Sequence, residues 1–399
     1  MINYHITPRA PLIFRDGKPF GTEDNIADTL LFPLPSTLAG ALRTAWADSE
    51  KLDYNNDDDI AKIKKKAVCG PILTCTQNNI TELMFPAPAD SVCLNDGYAA
   101  STIYRLKPAD IASNEIEGTD LPGGLLPVFL ENNIKGKPAK DTPKFWKFNK
   151  MRDWLLNDDI VALDADEQGI QNLPIEVRTH VSIDPQSHTA KAGYLFQTAG
   201  LDFSCQRKTS LSNSNCKSWG WKDAEYGIAC SFQENIPDTF RTIGGESRLG
   251  YIRKEETLIP ECPIELTKAL ANARYFRLIL ITPAIFKKGY IPGWLDESFQ
   301  GTFRNMKLTL KAVSISRWQA GTSWDMASVG SKDGKGMRGL KRLAPAGTVY
   351  WFEKEPGSFN AEGFWLTSIS DDHVHDQDGY GLTLPAVWTP SNPFLMKEK

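Results

Sequence analysis

The feature that most constrains the fold is a series of short apolar stretches separated by residues that break secondary structure. These stretches are rich in β-branched and aromatic residues, and Gly, Pro, Asn and Asp bound them. Such a pattern is typical of β-strands rather than of long helices. The strands predicted in this way cover residues 3–14, 173–183, 192–203, 227–232, 275–286, 306–316, 346–353 and 364–369.

Helical patterns are fewer. The clearest covers residues 35–46, where Ser36 or Thr37 is a candidate cap, and a second covers residues 60–68. One face of the first helix is apolar and is formed by Leu38, Ala41, Leu42 and Ala45. The predicted fold class is therefore α+β, with strands dominant.

A short internal repeat indicates a duplicated unit. Residues 5–21 and 278–294 each contain Ile-Thr-Pro, then an apolar pair ending in Phe, then charged residues and a glycine. Glycine clusters also occur far downstream of each copy, at 244–252 and 378–388. The repeat predicts two copies of one α/β unit.

The predicted units are 1–257 and 258–399, and the first carries three segments that resemble insertions. Segment 49–59 is acidic and is expected to be a mobile loop. Segment 131–152 is basic with aromatic residues, and segment 204–222 is rich in Ser, Asn, Lys and Trp without periodicity.

Charge and cysteine usage limit the class of function. The formal net charge is −4, whereas a free-standing nonspecific nucleic-acid binder is usually basic. Any nucleic-acid contact is therefore expected at a local basic patch within an assembly. The seven cysteines never form Cys-x-x-Cys, so we interpret them as reduced thiols. The first residues lack a signal-peptide pattern, and no apolar stretch reaches about 18 residues. We expect a cytoplasmic protein.

The stretch RTIGGESRLGYI, residues 241–252, contains the Gly-x-x-x-x-Gly frame of a Walker A loop. Tyr251 and Ile252 follow the frame where that loop has Lys and Ser or Thr, and the stretch is not Gly-x-Gly-x-x-Gly either. Two interpretations remain open. The stretch is a hairpin turn that needs positive φ, or a loop from which Arg241 or Arg248 contacts phosphates.

Histidine and acidic residues offer no specific catalytic motif. His180 lies in an alternating strand pattern, where a structural role is the more common one. His373 and His375 would lie on one side of a strand, which leaves a metal site or a solvated acidic turn as alternatives. No catalytic residue, metal or cofactor is therefore predicted. The aspartates of this cluster are Asp371, Asp372, Asp376 and Asp378.

Two basic segments remain. Residues 135–154 interleave lysines with Phe and Trp, which suits either single-stranded nucleic acid or an amphipathic surface whose rings pack inward. Residues 330–342 form a glycine-rich basic stretch that includes Lys335 and Arg338. This stretch is predicted to be a loop that becomes ordered on RNA or on a partner, or a solvated surface loop.

A set of stretches occurs in an order that is found in a known family. They are APLIFRDGKPFG, LFPLPSTLAGALRTAW, EVRTHVSIDPQSHTAKAGYLFQTAGLDF, IGGESRLGYI, LILITPAIFKKGYIPGW, LKRLAPAGTVYWFE and DGYGLTLPAVW. Together they run nearly from end to end of the chain. The ordered set resembles RAMP proteins of CRISPR systems, and more narrowly the third subunit of the type III-B (Cmr) effector complex.

The resemblance implies two ferredoxin-like (RRM-like) units with insertions. It also implies a noncatalytic subunit at the foot of the complex, where it holds the 5′ tag of the CRISPR RNA in antiviral defence. The expected partners are the large polymerase-like subunit and the backbone RAMP subunits, with target RNA met only indirectly and no membrane.

Carried over by position, the resemblance places the glycine loop, the start of the first helix and one strand near the RNA. The residues implied are Ser36, Thr37, Arg43, Arg178, His180, Gly244, Gly245, Arg248 and Gly250. Arg241, Lys335 and Arg338 join them as candidate RNA-binding residues on the grounds given above.

Three alternatives stay open. One is a metal-independent endoribonuclease that processes CRISPR RNA, with His180 or His5 as the base. Another is the equivalent subunit of a different type III complex. The third is an assembly wedge that joins protein subunits without touching RNA.

Overall fold

The structure is a computed structural model of the 399-residue chain. It forms two compact units. Unit 1 comprises residues 1–83, 172–259 and 320–341, and unit 2 comprises 84–171, 260–319 and 342–399. The residues described are 1–15, 26–27, 29–95, 101–108, 121–130, 134, 136–140, 142–158, 163–204, 208–209, 218–219, 225–322, 324–325, 336–337, 339–357, 359–371 and 376–390.

These bounds differ from the predicted division at 257 and 258. One unit boundary falls close to that division, between residues 259 and 260, but segment 84–171 joins the C-terminal residues in unit 2. The architecture is mixed α+β with mostly antiparallel strands and few helices, as predicted. In the described ranges, no helix is long and apolar enough to cross a membrane.

Unit 1 is built around an antiparallel sheet. Its first strand, Ile2–Pro8, lies between Glu225–Phe232 and Leu249–Lys254. Val68–Gln77 pairs with the outer side of Glu225–Phe232, and Thr239–Thr242 pairs with Leu249–Lys254. Ile80–Pro86 follows Val68–Gln77 through a tight turn at Asn78 and Asn79, both with positive φ, and begins in this unit.

Unit 1 also contains a long hairpin, which we call by that name below. Its strands, Ile175–Ile183 and Ala190–Leu201, are antiparallel, and Ile26–Ala27 pairs in parallel with the second of them. Short strands follow at Lys208–Thr209, Ser218–Trp219, Trp324–Asp325 and Gly336–Met337, and Gln319–Gly321 and Lys341–Leu343 lie at the unit boundary.

Two helices belong to unit 1. Helix α1, Pro35–Ser49, has buried Leu38 and Leu42 on its apolar face and packs near Val68–Gln77. Its cap is Leu34 rather than the predicted Ser36 or Thr37, because Pro35 takes the first helical position, where its missing N–H costs nothing.

Helix α2, Asp57–Lys64, begins and ends earlier than the predicted 60–68, and Val68 already begins a strand. Asn56 caps it by accepting from the N–H groups of Asp58 and Asp59. Part of the acidic segment 49–59 is therefore a helical first turn, where negative charge is favourable.

Unit 2 contains a second antiparallel sheet. Its first strand, Tyr275–Leu280, lies between Val349–Lys354 and Leu382–Val387. Met306–Ser314 pairs with the outer side of Val349–Lys354. The two sheets thus share one strand order, in which the first strand lies between the third and the fourth and the second lies beyond the third. The edge strands are Gln300–Phe303 and Thr367–Ser368.

The core of unit 2 is rich in aromatic side chains, among them the buried Trp146, Trp154 and Trp351. Helices α3, Phe148–Leu156, and α5, Ile264–Leu270, pack against each other and against Leu382–Val387. The short helix α4 spans Ala165–Gln168, and 3₁₀ turns occur at Glu362–Phe364 and Asp376–Asp378. The remaining strands are Ser91–Asn95, Ser101–Arg105, Lys107–Pro108, Val128–Phe129, Lys137–Pro138, Phe145–Lys147, Leu163–Asp164 and Gly169–Ile170.

Candidate nucleic-acid interface

The glycine-rich stretch forms the turn of a hairpin in unit 1. Thr239–Thr242 and Leu249–Lys254 pair antiparallel, and the Ile243 N–H donates to the Arg248 carbonyl at 2.8 Å. We call these two strands and their connection the glycine hairpin, and residues 244–247 the glycine turn. Gly244, Glu246 and Ser247 have φ of 73°, 56° and 52°. The predicted hairpin turn with positive φ is confirmed.

The glycines serve packing within the unit. The Gly245 N–H donates to the Ile13 carbonyl at 2.8 Å. A Cβ on Gly244 would lie 2.5 Å from the same oxygen, and one on Gly250 would lie 2.6 Å from Ile243 Cδ1. Their small size therefore lets the hairpin approach Ile13 and its neighbours, and the Gly245 N–H is already used.

Two predicted arginines converge on the glycine turn. Arg248 pairs with Glu246 at 3.1 Å, and its Nε is buried with no hydrogen-bond partner in the described residues. Arg178, on the long hairpin, pairs with Glu176 and lies close enough to Glu246 to interact with it. The hydrogen bond and charge of Glu176, and more weakly Glu246, raise the pKa of Arg178. The long hairpin and the glycine hairpin thus each carry a guanidinium group paired with a carboxylate, and the charge of Glu246 acts on Arg178 as well.

His180 lies beside Arg178 on the same face of the long hairpin, two residues along the strand. Its ring stacks on Phe196 across the hairpin, with centroids 5.2 Å apart and planes at 13°. Its Nε2 is 2.9 Å from Thr198 Oγ1. The ring is therefore fixed in position by neighbours on the facing strand.

The structure does not gather the remaining predicted residues of unit 1 at the turn. Arg241 pairs with Asp48 near the end of α1 at 3.0 Å. Ser36 and Thr37 lie at the other end of that helix, about 18 Å away along its axis. Arg43 donates from Nε and Nη2 to the Lys66 carbonyl, at 2.9 and 2.8 Å.

Other predicted residues fall elsewhere. Lys335, Arg338, His373, His375 and Asp372 lie outside the described residues. Among the described residues no group of three or more His, Cys, Asp and Glu could hold a metal ion. Asp371 instead accepts from the backbone N–H groups of Lys287 and Gly293, at 2.9 and 2.7 Å.

Three of the four rings in the basic aromatic segment 135–154 are not free to stack on a nucleic acid. Phe145 and Trp146 lie in a strand of unit 2, Trp154 lies in α3, and all three side chains are buried. Trp146 and Trp154 meet edge to face with centroids 5.1 Å apart. The rings pack inward, so the interpretation as a stacking surface at these residues is wrong.

The sequence did not reveal a ring pair in which Phe240 is exposed and Tyr251 is half-buried. Phe240 and Tyr251 face each other across the glycine hairpin, with ring centroids 4.8 Å apart. Arg9 lies over both rings. The alternation in TFRT and LGYIRK was the available signal, but it does not reveal the strand register that pairs the rings.

The antiparallel α+β architecture, and the glycine turn followed by Arg248, agree with the class of CRISPR-associated protein that the sequence resembles. A model of the family described as "CRISPR-associated protein (Cas_Cmr3)" matches residues 4–388. The chain therefore belongs to the Cas_Cmr3 family, and the predicted resemblance to a type III-B effector subunit is confirmed.

The solved structures that contain a similar chain are of type III CRISPR complexes. Chains in two cryo-EM structures of type III-B Cmr-beta with cognate target RNA, the first also with AMPPnP, have 13% and 14% identity. Both have a TM-score of 0.46, over 88% of this chain and 86% of that one. A chain of the Csm3-Csm4 subcomplex of a type III-A interference complex has 10% identity and a TM-score of 0.32, over 90% and 100%. No curated protein matches the sequence.

Proposed function

We propose that the chain is a noncatalytic RNA-binding subunit of a type III-B CRISPR effector complex that holds the 5′ tag of CRISPR RNA in antiviral defence. One observation carries the proposal. In a chain that belongs to Cas_Cmr3 from residue 4 to residue 388, the two hairpins that carry Arg178 and Arg248 are hydrogen-bonded to adjacent residues, Leu12 and Ile13.

The chemistry of this turn suits a phosphate. The Arg178 and Arg248 side chains are 45% and 19% exposed, and each is paired with a nearby carboxylate. The exposed pair of Arg178 and Glu176 contributes little to stability, and the pair of Arg248 and Glu246 is only partly buried. An RNA phosphate can therefore replace a carboxylate as the partner, and guanidinium groups bind phosphate with two parallel hydrogen bonds.

The proposed fold is a pair of ferredoxin-like units. The support is the strand order of the two sheets, in which the first strand lies between the third and fourth and the second lies outside. Helix α1 links the first and second strands of unit 1, as the first crossover of such a unit does. The internal repeat places Ile-Thr-Pro at the first strand of each sheet, which supports a common origin.

The absence of catalysis is also part of the proposal. His5, one candidate base, is buried, and burial lowers its pKa to about 4. His180, the other, is held between Phe196 and Thr198. Neither arrangement favours a base that must reach a ribose hydroxyl. Incubation with repeat RNA checks this, because specific cleavage abolished by His180→Ala would establish the endoribonuclease.

The partners proposed are the large polymerase-like subunit and the backbone RAMP subunits, in the cytoplasm. The net charge of −4 supports an assembled role, because a local patch works when neighbouring subunits supply the rest of the RNA channel.

The test is affinity of the assembled complex for tagged CRISPR RNA. Arg178→Ala with Arg248→Ala should weaken binding about tenfold or more, since two charge-assisted contacts are lost. Each lost phosphate contact should also lower the slope of log affinity against log salt by about 0.7.

The matched control is Arg152→Ala, which removes an exposed arginine of α3 whose nearest carboxylate is its neighbour Asp153, at 3.9 Å. Its complex should bind tagged RNA as the unaltered complex does. Unchanged affinity and unchanged salt slope in the double variant would refute the RNA-binding role.

A further inference from the structure

We propose that Phe240 and Tyr251 form a stacking platform for one base of single-stranded RNA, beside the guanidinium group of Arg9. This inference rests on the proposed function and extends it from the phosphates at the glycine turn to a base. The three residues belong to unit 1 and lie on one face of its sheet.

The geometry of the hairpin presents Phe240 to solvent and leaves Tyr251 half-buried beside it. Phe240 and Tyr251 are directly opposite each other in the strand register, and their planes are tilted by 42°. The neighbour Arg241 faces α1, where it pairs with Asp48. Because side chains alternate along a strand, Phe240 points to the opposite face. Phe240 is 52% exposed, so its ring is open to a ligand.

Arg9 supplies a cation that no carboxylate in the described part of unit 1 neutralises. Its N–H donates to the Leu249 carbonyl at 2.9 Å, which fixes it beside the hairpin. Its Cζ lies 5.9 Å from the Phe240 centroid and 5.8 Å from that of Tyr251. A guanidinium group held over two rings can stack on a base or bind the adjoining phosphate.

The charges along the hairpin differ between its two ends. Arg9 lies over the rings and is bonded to Leu249 at the end that carries the glycine turn. The other end carries Asp238, which accepts from the Tyr251 hydroxyl at 3.4 Å, and Glu255, which pairs with Arg253 at 2.8 Å. An RNA backbone is therefore favoured at the turn end, with the base lying over the rings.

Continuity with the glycine turn favours RNA over a protein partner. Arg9, which lies over both rings, is held to Leu249 at the turn end, and Arg248 directly precedes Leu249 in the chain. Side chains alternate along a strand, so Arg248 and Tyr251 start from opposite faces, and an RNA strand that contacts Arg248 passes round the turn end, beside Arg9, to reach the rings. Every base has a flat face that stacks on an aromatic ring, whereas an apolar protein partner gains nothing from the unpaired cation.

The experiment measures the affinity of the assembled complex for tagged RNA and for a set of probes that each lack one base. Phe240→Ala and Tyr251→Ala should each weaken binding about tenfold, while Tyr251→Phe, which keeps the ring, should retain affinity. For one abasic probe, the unaltered complex and Phe240→Ala should bind equally, because the base that stacks is missing.

The control is Trp318→Ala in unit 2, which removes another exposed ring, 47% exposed and covered by Arg342 at 5.1 Å. It should leave RNA affinity unchanged, and a loss equal to that of Phe240→Ala would overturn the assignment. Thermal unfolding of each variant reports whether the protein still folds. If an alanine variant does not fold, the affinity of Tyr251→Phe can still be measured.

The outcomes separate this inference from the proposed function. If Arg178→Ala with Arg248→Ala weakens binding but the ring variants do not, the platform is refuted and the RNA-binding role stands. If no variant changes affinity, both are refuted. If the ring variants bind RNA normally but fail to assemble with the other subunits, the rings form a protein contact, and the platform is again refuted.

Discussion

The two sheets share a strand order, yet the glycine clusters before their last strands have opposite surroundings. In unit 1 the cluster ends in an exposed turn that carries Glu246 and Arg248. In unit 2 the residues before Leu382–Val387 are buried, and Thr282 Oγ1 donates to the Gly379 carbonyl and accepts from the Leu382 N–H.

The backbone contacts of the two clusters are nevertheless alike. The Gly245 N–H donates to Ile13 in unit 1, and the Gly381 N–H donates to Pro283 in unit 2, both at 2.8 Å. Each acceptor lies just after the first strand of its sheet. One docking arrangement therefore has two outcomes: in unit 1 the cluster forms the exposed turn between Thr239–Thr242 and Leu249–Lys254, and in unit 2 it is buried before Leu382–Val387.

The two units also differ in the kind of polar group that each buries. Unit 2 buries the Asp90 carboxylate with Arg277 and Arg105, and the Trp154 indole donates to it at 3.0 Å. Unit 1 buries His5 in its first strand, with only Thr74 bonded to the ring. The difference predicts a charged, strongly coupled core in unit 2 and a neutral one in unit 1.

The largest expected effect is in unit 2. Asp90→Ala should lower the free energy of unfolding by about 3–5 kcal/mol, because it leaves two buried guanidinium groups without their carboxylate. Denaturant unfolding measures it. The control is Asp153→Ala, an exposed partner of Arg152 at 3.9 Å, expected to cost under about 0.5 kcal/mol. If the two variants lowered the free energy of unfolding equally, the buried charge cluster of unit 2 would have no special role in stability.

A pH effect comes next, in unit 1. Burial, and then the charge of Arg253, lower the pKa of His5 to about 4 from 6.5. The unfolded chain therefore binds the proton first, so stability falls as pH drops from 6.5 toward 4, by up to about 3 kcal/mol. Unfolding measured at pH 7 and pH 4.5 checks this. His5→Gln should flatten the dependence, and an unaltered profile would contradict the burial of a neutral ring.

The smallest effect separates two adjacent glycines. Gly244→Ala should cost about 1–2 kcal/mol, because its φ is positive and its Cβ would meet the Ile13 carbonyl. Gly245→Ala should be tolerated, since its nearest contact would be 3.5 Å. Thermal unfolding of the two variants distinguishes them. A similar loss in both would mean that the turn is rigid at every residue.

Sequence reasoning reached the architecture and the glycine turn because both depend on local patterns. Strand alternation, the repeat and the glycines are readable along the chain. The effect of Glu246 on Arg178 could not be predicted from the sequence, because the two residues lie far apart along the chain. The burial of Trp146 and Trp154 was equally hidden, because lysines and rings in alternation suit a packed surface as well as a stacking one.

Residues Leu12 and Ile13 have a consequence for binding. Leu12 exchanges two backbone hydrogen bonds with Leu201 of the long hairpin, at 2.9 and 2.8 Å, and Ile13 holds the glycine turn. The two arginine-bearing elements are thus fastened to adjacent residues of one segment. Their spacing is set before any ligand arrives, so little ordering entropy should be lost if the proposed site binds RNA, and such a site would discriminate by fit rather than by adjustment.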